Sequence, residues 1–204
     1  MACWSCQAAG SAHDRCPSCG ALQPAPAGED LFAVLGVPRG FAQDPAELER
    51  RFRDRARAFH PDRFARASGR ERRIALERSA RVNEAHRRLG SPRQRAAYLL
   101  EVLAAGDEPQ LCRPDVSEAR AVHDPELLEE QLAVRERIEV ARAAGDAEEL
   151  SRLADGLSGR LAAIDGGLGE LLVGAAPPPE ARRAASRLLG EARLLERALE
   201  AARG

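Results

Sequence analysis

Four of the five cysteines fall into two pairs, Cys3-x-x-Cys6 and Cys16-x-x-Cys19, with nine residues between the pairs. Two residues between thiolates let one turn present both sulfurs, and two such turns supply four thiolates to a single tetrahedral ion. Gly20, directly after the second pair, lets the backbone curl over the sulfurs. In a reducing compartment this spacing reads as a metal site more readily than as disulfides. Zinc is the ion expected; a disulfide or redox pair and iron are the alternatives. A closed shell of four sulfurs leaves no open position, so the expected role is structural. His13 is a competing ligand on chemistry alone but reads as a loop residue, and Cys112 reads as an inert thiol.

A second group with chemical potential is His60-Pro61-Asp62, inside the stretch RAFHPDRF. A histidine beside a carboxylate suggests acid–base catalysis. No nucleophile, second acid or glycine-rich phosphate loop accompanies it, so the protein is not expected to be an enzyme. A histidine at a helix C-terminus is also favourable in its protonated form without any further role.

Helical punctuation frames the triplet. A short apolar helix, DLFAVLGV, starts at Asp30 and is broken by Gly36, Pro38 and Gly40. Asp44 at the N-cap, Pro45 at the first helical position and Glu47 open the next helix. At 100° per residue, Leu48, Phe52, Ala56 and Phe59 share one sector of about 80°, and Arg50, Arg53 and Arg57 lie opposite. Pro61 cannot continue that helix, so the triplet begins a loop. Ser68 and Glu71 form a capping pair for the following helix, whose Ile74, Val82, Ala85 and Leu89 share a face. The two helices pair antiparallel with the triplet between them. Gly90 ends the second, and Ser91-Pro92 restarts a helix through RAAYLLEVLAA.

The rest divides simply. Residues 1–22 form the cysteine knuckle, 30–105 a small helical domain, 106–123 an irregular connector and 124–204 a three-helix bundle. Asp124-Pro125 caps the first bundle helix, with Leu127, Val134, Ile138 and Ala141 as its core stripe and Leu128 and Leu132 on a neighbouring sector. Asp146 and Glu149 open the second, whose leucines repeat every three or four residues. Five glycines at 156, 159, 166, 167 and 169 weaken it, and a bend or break is expected near 166.

Composition narrows the function. Net charge is −1 and the pI near 6.5, and aromatics make up only 3 %, which argues against a zinc-ribbon nucleic-acid binder. All 31 basic residues are arginine, as a GC-rich bacterial genome would produce. No apolar run reaches the roughly 18 residues of a membrane span, and the N-terminus lacks the pattern of a secretory signal. A cytoplasmic protein with no nucleic-acid or membrane partner is expected.

A helical hairpin with a basic outer face and His-Pro-Asp in its loop resembles the J-domain of the J-protein co-chaperones. The likeness covers residues 30–105, with LFAVLGV as first helix and VNEAHRRLGSPRQRAAYLL as the later segment. It implies that His60, Pro61 and Asp62 engage a DnaK/HscA-class ATP-dependent chaperone and stimulate its ATP hydrolysis, with Arg50, Arg53, Arg57 and Arg63 on the same docking face. Pro61 would stiffen the loop, Asp62 would offer a carboxylate to an arginine of the partner, and the arginines would steer association with an acidic surface. A J-domain followed by a bundle containing LLEEQLAVRERI is similar to the HscB-type co-chaperones of iron–sulfur cluster assembly, and CWSC…CPSCGALQ to the form with an N-terminal tetracysteine zinc knuckle. The fold implied is all-α: knuckle, J-domain hairpin and antiparallel three-helix bundle. The bundle would bind the cluster scaffold protein (IscU type) through Leu128, Leu132 and Glu136, with Leu194 from the last helix. Glu129 stands where an apolar residue is common in that family, and Ala133 where an acid is common. A general J-protein delivering another client is the alternative.

Overall fold

The computed structural model describes residues 2–9, 14–107 and 125–204. His13, Cys112, the Asp124 cap and most of the expected connector lie outside the described residues. Among those described, no strand forms; two isolated antiparallel bridges, Ala2 with Ala9 and Arg15 with Leu22, close the two cysteine turns. The architecture is all-α, a cysteine knuckle with a helical hairpin and an antiparallel three-helix bundle. No helix among the described residues is long and apolar enough to cross a membrane.

The chain forms two compact units, Met1–Arg39 with Gln43–Ser91, and Gly40–Ala42 with Pro92–Gly204. In the first, α1 (Leu31–Leu35) is capped by Asp30, whose carboxylate accepts the Ala33 N–H at 2.8 Å, and ends at Gly36 with φ 72°. Helix α2 (Pro45–Ala58) starts at the expected Asp44 cap, and α3 (Gly69–Gly90) at Ser68, whose hydroxyl accepts the Glu71 N–H at 3.2 Å. A 3-10 turn, Pro61–Phe64, joins α2 to α3. Helix α3 packs on α1, α2 and the turn. Phe32, Leu35, Leu48, Phe59, Phe64, Val82, Ala85 and Leu89 are buried there.

The second unit contains α4 (Pro92–Asp107), α5 (Pro125–Ala144), α6 (Ala147–Leu171) and α7 (Pro179–Arg203). Helix α4 packs on α6 and α7, and α5, α6 and α7 pack on one another. The Arg95 guanidinium lies over the Phe41 ring, 5.1 Å from its centroid. Ile138, Leu153, Ala154 and Ala202 form a buried cluster with Val134, Leu150, Ala198 and Leu199 against it. Arg160 on α6 ties the bundle together, bonding Glu130 of α5 and, at 2.9 Å, Glu191 of α7.

The break expected near residue 166 does not occur: α6 runs unbroken from Ala147 to Leu171. Burial explains it, because Leu153, Leu157, Leu161, Ile164 and Leu168 all face the core and outweigh the glycines' propensity. Gly167 also serves close packing, since a Cβ there would meet Leu188 Cδ1 at 3.2 Å.

Candidate functional site

Each cysteine pair closes with the same two backbone hydrogen bonds. Cys3 N–H donates to Ala8 O at 2.9 Å and Gln7 N–H to Cys3 O at 3.0 Å. In the second turn Cys16 N–H donates to Ala21 O at 2.9 Å and Gly20 N–H to Cys16 O at 2.8 Å. The closing residue is left-handed in both, Gly20 at φ 74° and Gln7 at φ 63°. Gly20 adopts this freely, whereas Gln7 does so at a cost of about 1 kcal/mol.

The four sulfurs lie within 4.8 Å of one another, with Cys3–Cys19 and Cys6–Cys16 each 3.7 Å apart. A disulfide would bring two sulfurs to about 2.05 Å, and all four are free thiols. A tetrahedral shell with metal–sulfur bonds of about 2.3 Å spaces its sulfurs about 3.8 Å apart. The four cysteines are therefore positioned to hold a metal ion. Donors converge on them: Ser5 N–H and Gln23 Nε2 reach Cys3 Sγ at 3.3 and 3.4 Å. The Cys3 thiol is drawn down to about 6, first by the Cys6 backbone N–H, and Cys16 is lowered, first by that of Cys19. Cys6 is pushed up to about 12: the Ala8 N–H pulls it down, but the Cys19 thiol and burial prevail. Sulfurs this close cannot all ionise without a cation between them, and supplying that cation is what a bound ion would do. Trp4 Nε1 donates to Leu22 O at 2.7 Å, a further link between the two turns.

The triplet sits between two buried aromatics. Phe59, 2 % exposed, caps the end of α2, and Phe64, 3 % exposed, ends the 3-10 turn. His60 is the N-cap of that turn, and its Nδ1 accepts the Asp62 N–H at 3.3 Å. Nδ1 also lies 3.6 Å from the Asp62 carboxylate. Pro61 occupies the first position of the turn, where its fixed φ suits the geometry. His60 and Asp62 point to water, with side chains 58 % and 90 % exposed. The arrangement holds an exposed imidazole and an exposed carboxylate side by side on a proline-led turn.

Arg50, Arg53, Arg57 and Arg63 are all exposed. Their charges are not equivalent. Arg50 is paired with Glu47 at 2.6 Å and Asp54 at 3.4 Å, and Arg53 with Glu49 at 2.7 Å. Arg50, then Arg51, hold the Glu47 carboxyl down at about 2, and Arg53, with His86, lowers Glu49. Arg57 and Arg63 form no ion pair among the described residues; Arg63 donates to the Arg57 carbonyl at 3.5 Å. The unbalanced positive charge is thus concentrated next to the triplet. The spacing of Glu47, Glu49 and Asp54 three or four residues from these arginines was the available signal for the paired half.

On α5, Leu128 and Leu132 are 37 % and 67 % exposed, clear of the core stripe of Ile138 and Ala141. Glu136 is exposed one turn beyond Leu132, and Val140, 62 % exposed, prolongs the row. Leu194 lies half-buried on α7, which packs on α5.

Two family models match the chain, the DnaJ domain over residues 30–98 and the HSCB C-terminal oligomerisation domain over 123–202. The sequence is 35 % identical over 161 residues to the co-chaperone protein HscB homolog of Azoarcus sp. (strain BH72), spanning 79 % of this chain and 86 % of that one. The chain belongs to the HscB co-chaperone family. The HscB homolog of Bordetella pertussis is 42 % identical over 116 residues, a match covering 57 % of this chain and 64 % of the relative. The fold is similar to that of human co-chaperone protein HscB, with TM-score 0.78, 21 % identity and coverage of 100 % and 97 % of the two chains. Against the chaperone HscB from Vibrio cholerae the TM-score is 0.65, at 26 % identity and coverage of 86 % and 96 %.

Within this HscB-family fold, several residues that hold the knuckle to the helices escaped the sequence pattern. Asp14 bonds Arg55 and Arg78, and Glu71, whose backbone N–H the Ser68 cap engages, accepts the Leu22 N–H at 3.2 Å. Arg78 is 64 residues from Asp14 and sits on the buried face of α3. An arginine on an apolar stripe was the one visible sign that an acid must come from elsewhere.

Proposed function

We propose that this protein is a co-chaperone of iron–sulfur cluster assembly. Its bundle holds an IscU-type scaffold on the face of α5 that carries Leu128, Leu132 and Glu136, with Leu194 of α7 at its edge. Its J-domain, residues 30–105, stimulates the ATPase of a DnaK/HscA-class chaperone through His60, Pro61 and Asp62, with Arg50, Arg53, Arg57 and Arg63 on the docking face. The protein performs no catalysis itself and works in the bacterial cytoplasm. The observation that carries this reading is the exposed triplet on its two phenylalanine anchors, in a chain of the HscB family.

Physical chemistry supports each role. Exposed leucines on a bundle helix gain by being covered, and acids at their edge give orientation. A rigid turn loses little entropy on docking, and Arg57 and Arg63, which form no ion pair among the described residues, steer it toward an acidic surface. Zinc is the ion proposed for Cys3, Cys6, Cys16 and Cys19; it would cross-link the two turns and leave no open coordination position.

The test is His60→Gln in a chaperone ATPase assay run beside a scaffold titration. Stimulation should vanish while scaffold binding stays intact. Unaltered stimulation refutes the docking assignment, and absence of scaffold binding in the wild type refutes the cluster-assembly role. Elemental analysis should find one zinc per chain.

A further inference from the structure

Asp14 and Arg15, immediately before Cys16, reach from the knuckle to both ends of the His-Pro-Asp turn. Asp14 Oδ1 accepts from Arg78 and Oδ2 from Arg55, each at 2.5 Å. The Arg78 side chain is only 8 % exposed, and its other terminal nitrogen donates to Gln23 O at 3.1 Å. Its guanidinium lies over the Phe59 ring, 4.4 Å from the centroid. At the far end of the turn the Arg15 guanidinium is 5.3 Å from the centroid of Phe64. Phe59 immediately precedes His60, and Phe64 is the last residue of the turn.

Both aromatic anchors are therefore held by guanidinium groups whose places depend on the N-terminal segment. Arg15 belongs to the knuckle. Arg78 belongs to α3, but its carboxylate and carbonyl partners both come from residues 14 and 23. A guanidinium this desolvated is stable only while paired. If the knuckle lost its shape, Arg78 would have to turn toward water and leave the Phe59 ring. Two further links, Leu22 N–H to Glu71 at 3.2 Å and Arg70 over Trp4 at 4.6 Å, hold the same surfaces together.

We infer that Asp14 and Arg15 are positioning residues for the His60-Pro61-Asp62 loop, so that the folded, metal-loaded knuckle sets how much of the loop is competent to dock. The inference rests on the reading that this triplet engages the chaperone. A loop competent for a fraction of the time binds more weakly by that fraction. Metal occupancy and chaperone stimulation are thereby linked, although no cysteine belongs to the docking face.

The experiment uses the full chain as wild type, Asp14→Asn, Arg15→Ala, Asp14→Glu and His60→Gln. Three quantities are read: zinc per chain, ATPase stimulation of a DnaK-class chaperone against co-chaperone concentration, and the ring-nitrogen NMR shifts of His60. Asp14→Asn and Arg15→Ala should keep one zinc per chain yet raise the half-maximal concentration about tenfold, as a fall in competent loop to about one-tenth requires. The His60 Nδ1 shift should move with them, as the Asp62 N–H leaves that nitrogen, and Asp14→Glu should recover most of both effects. Wild-type half-maximal concentration and wild-type His60 shifts in both variants overturn the inference. Should Asp14→Asn fail to fold, exposed Arg15→Ala decides alone. A His60→Gln protein that stimulates like wild type refutes the docking role instead, and the His60 shifts of Asp14→Asn then decide the positioning role separately.

Discussion

Replacing Leu128 and Leu132 by alanine separates an interface from a core by magnitude. Full burial of a leucine side chain contributes about 1.5–3 kcal/mol. Leu132 is 67 % exposed, so a partner covering it would gain about 1–2 kcal/mol. Leu128, at 37 %, offers about 0.5–1 kcal/mol. Removing both should weaken scaffold binding by about 1.5–3 kcal/mol, roughly 10- to 150-fold in Kd. The fractions already covered mean the folded protein loses about 0.5–1 kcal/mol at Leu132 and about 1–2 kcal/mol at Leu128. Buried Leu195→Ala, at 0 % exposure, should instead cost about 2–5 kcal/mol of stability. The assay is a calorimetric titration into apo scaffold, paired with thermal unfolding of each variant. Wild-type affinity in the double variant refutes the docking face. A stability loss above about 4 kcal/mol for the pair shows that these leucines serve the bundle core, and the reasoning from exposure is then wrong.

Gln7→Gly should relieve about 1 kcal/mol of left-handed strain and Gly20→Ala should add about as much; chelator competition for zinc reads both, and equal affinity in the two variants contradicts the matched-turn geometry. Gly156→Ala and Gly159→Ala, each with open space at the new Cβ, should stabilise by about 0.5–1 kcal/mol apiece. Gly167→Ala should gain less, since its Cβ meets Leu188 Cδ1 at 3.2 Å and that methyl must give way; denaturant midpoints that rise equally for all three refute the close approach. Glu47, held at about 2 against an ordinary 4.5, favours the fold above pH 4.5, and that contribution disappears as the pH falls from 4.5 toward 2. Glu47→Gln should therefore lower stability at neutral pH and flatten the acid limb of the stability profile, an effect salt will screen.

Local chemistry made much of this molecule legible in its sequence. Asp30, Asp44, Ser68 and Asp146 each accept a backbone N–H at the start of their helices, as their positions before apolar periodic runs imply. The metal shell was readable because its ligands lie within two short turns. Non-local terms were not. The continuity of α6 through Gly166 and Gly167 depends on burial along a whole face, which residue propensity does not contain. Whether Leu128 and Leu132 face the core or water depends on where α6 and α7 lie, a fact beyond the periodicity of α5. The anchoring of Arg78 by Asp14 joins residues 64 apart, and no spacing rule connects them.

The division of the chain bears on how it can be dissected. Gly40–Ala42 belongs with Pro92–Gly204, while the residues on either side of this tripeptide belong with the hairpin. The polypeptide therefore passes between units three times, and no single proteolytic cut yields both of them whole. A fragment beginning at Pro92 lacks Phe41, whose ring lies under the Arg95 guanidinium and 3.5 Å from where a Cβ on Gly169 would sit. Such a fragment leaves Arg95 without its aromatic cover, and binding constants measured on it describe a bundle with a notch.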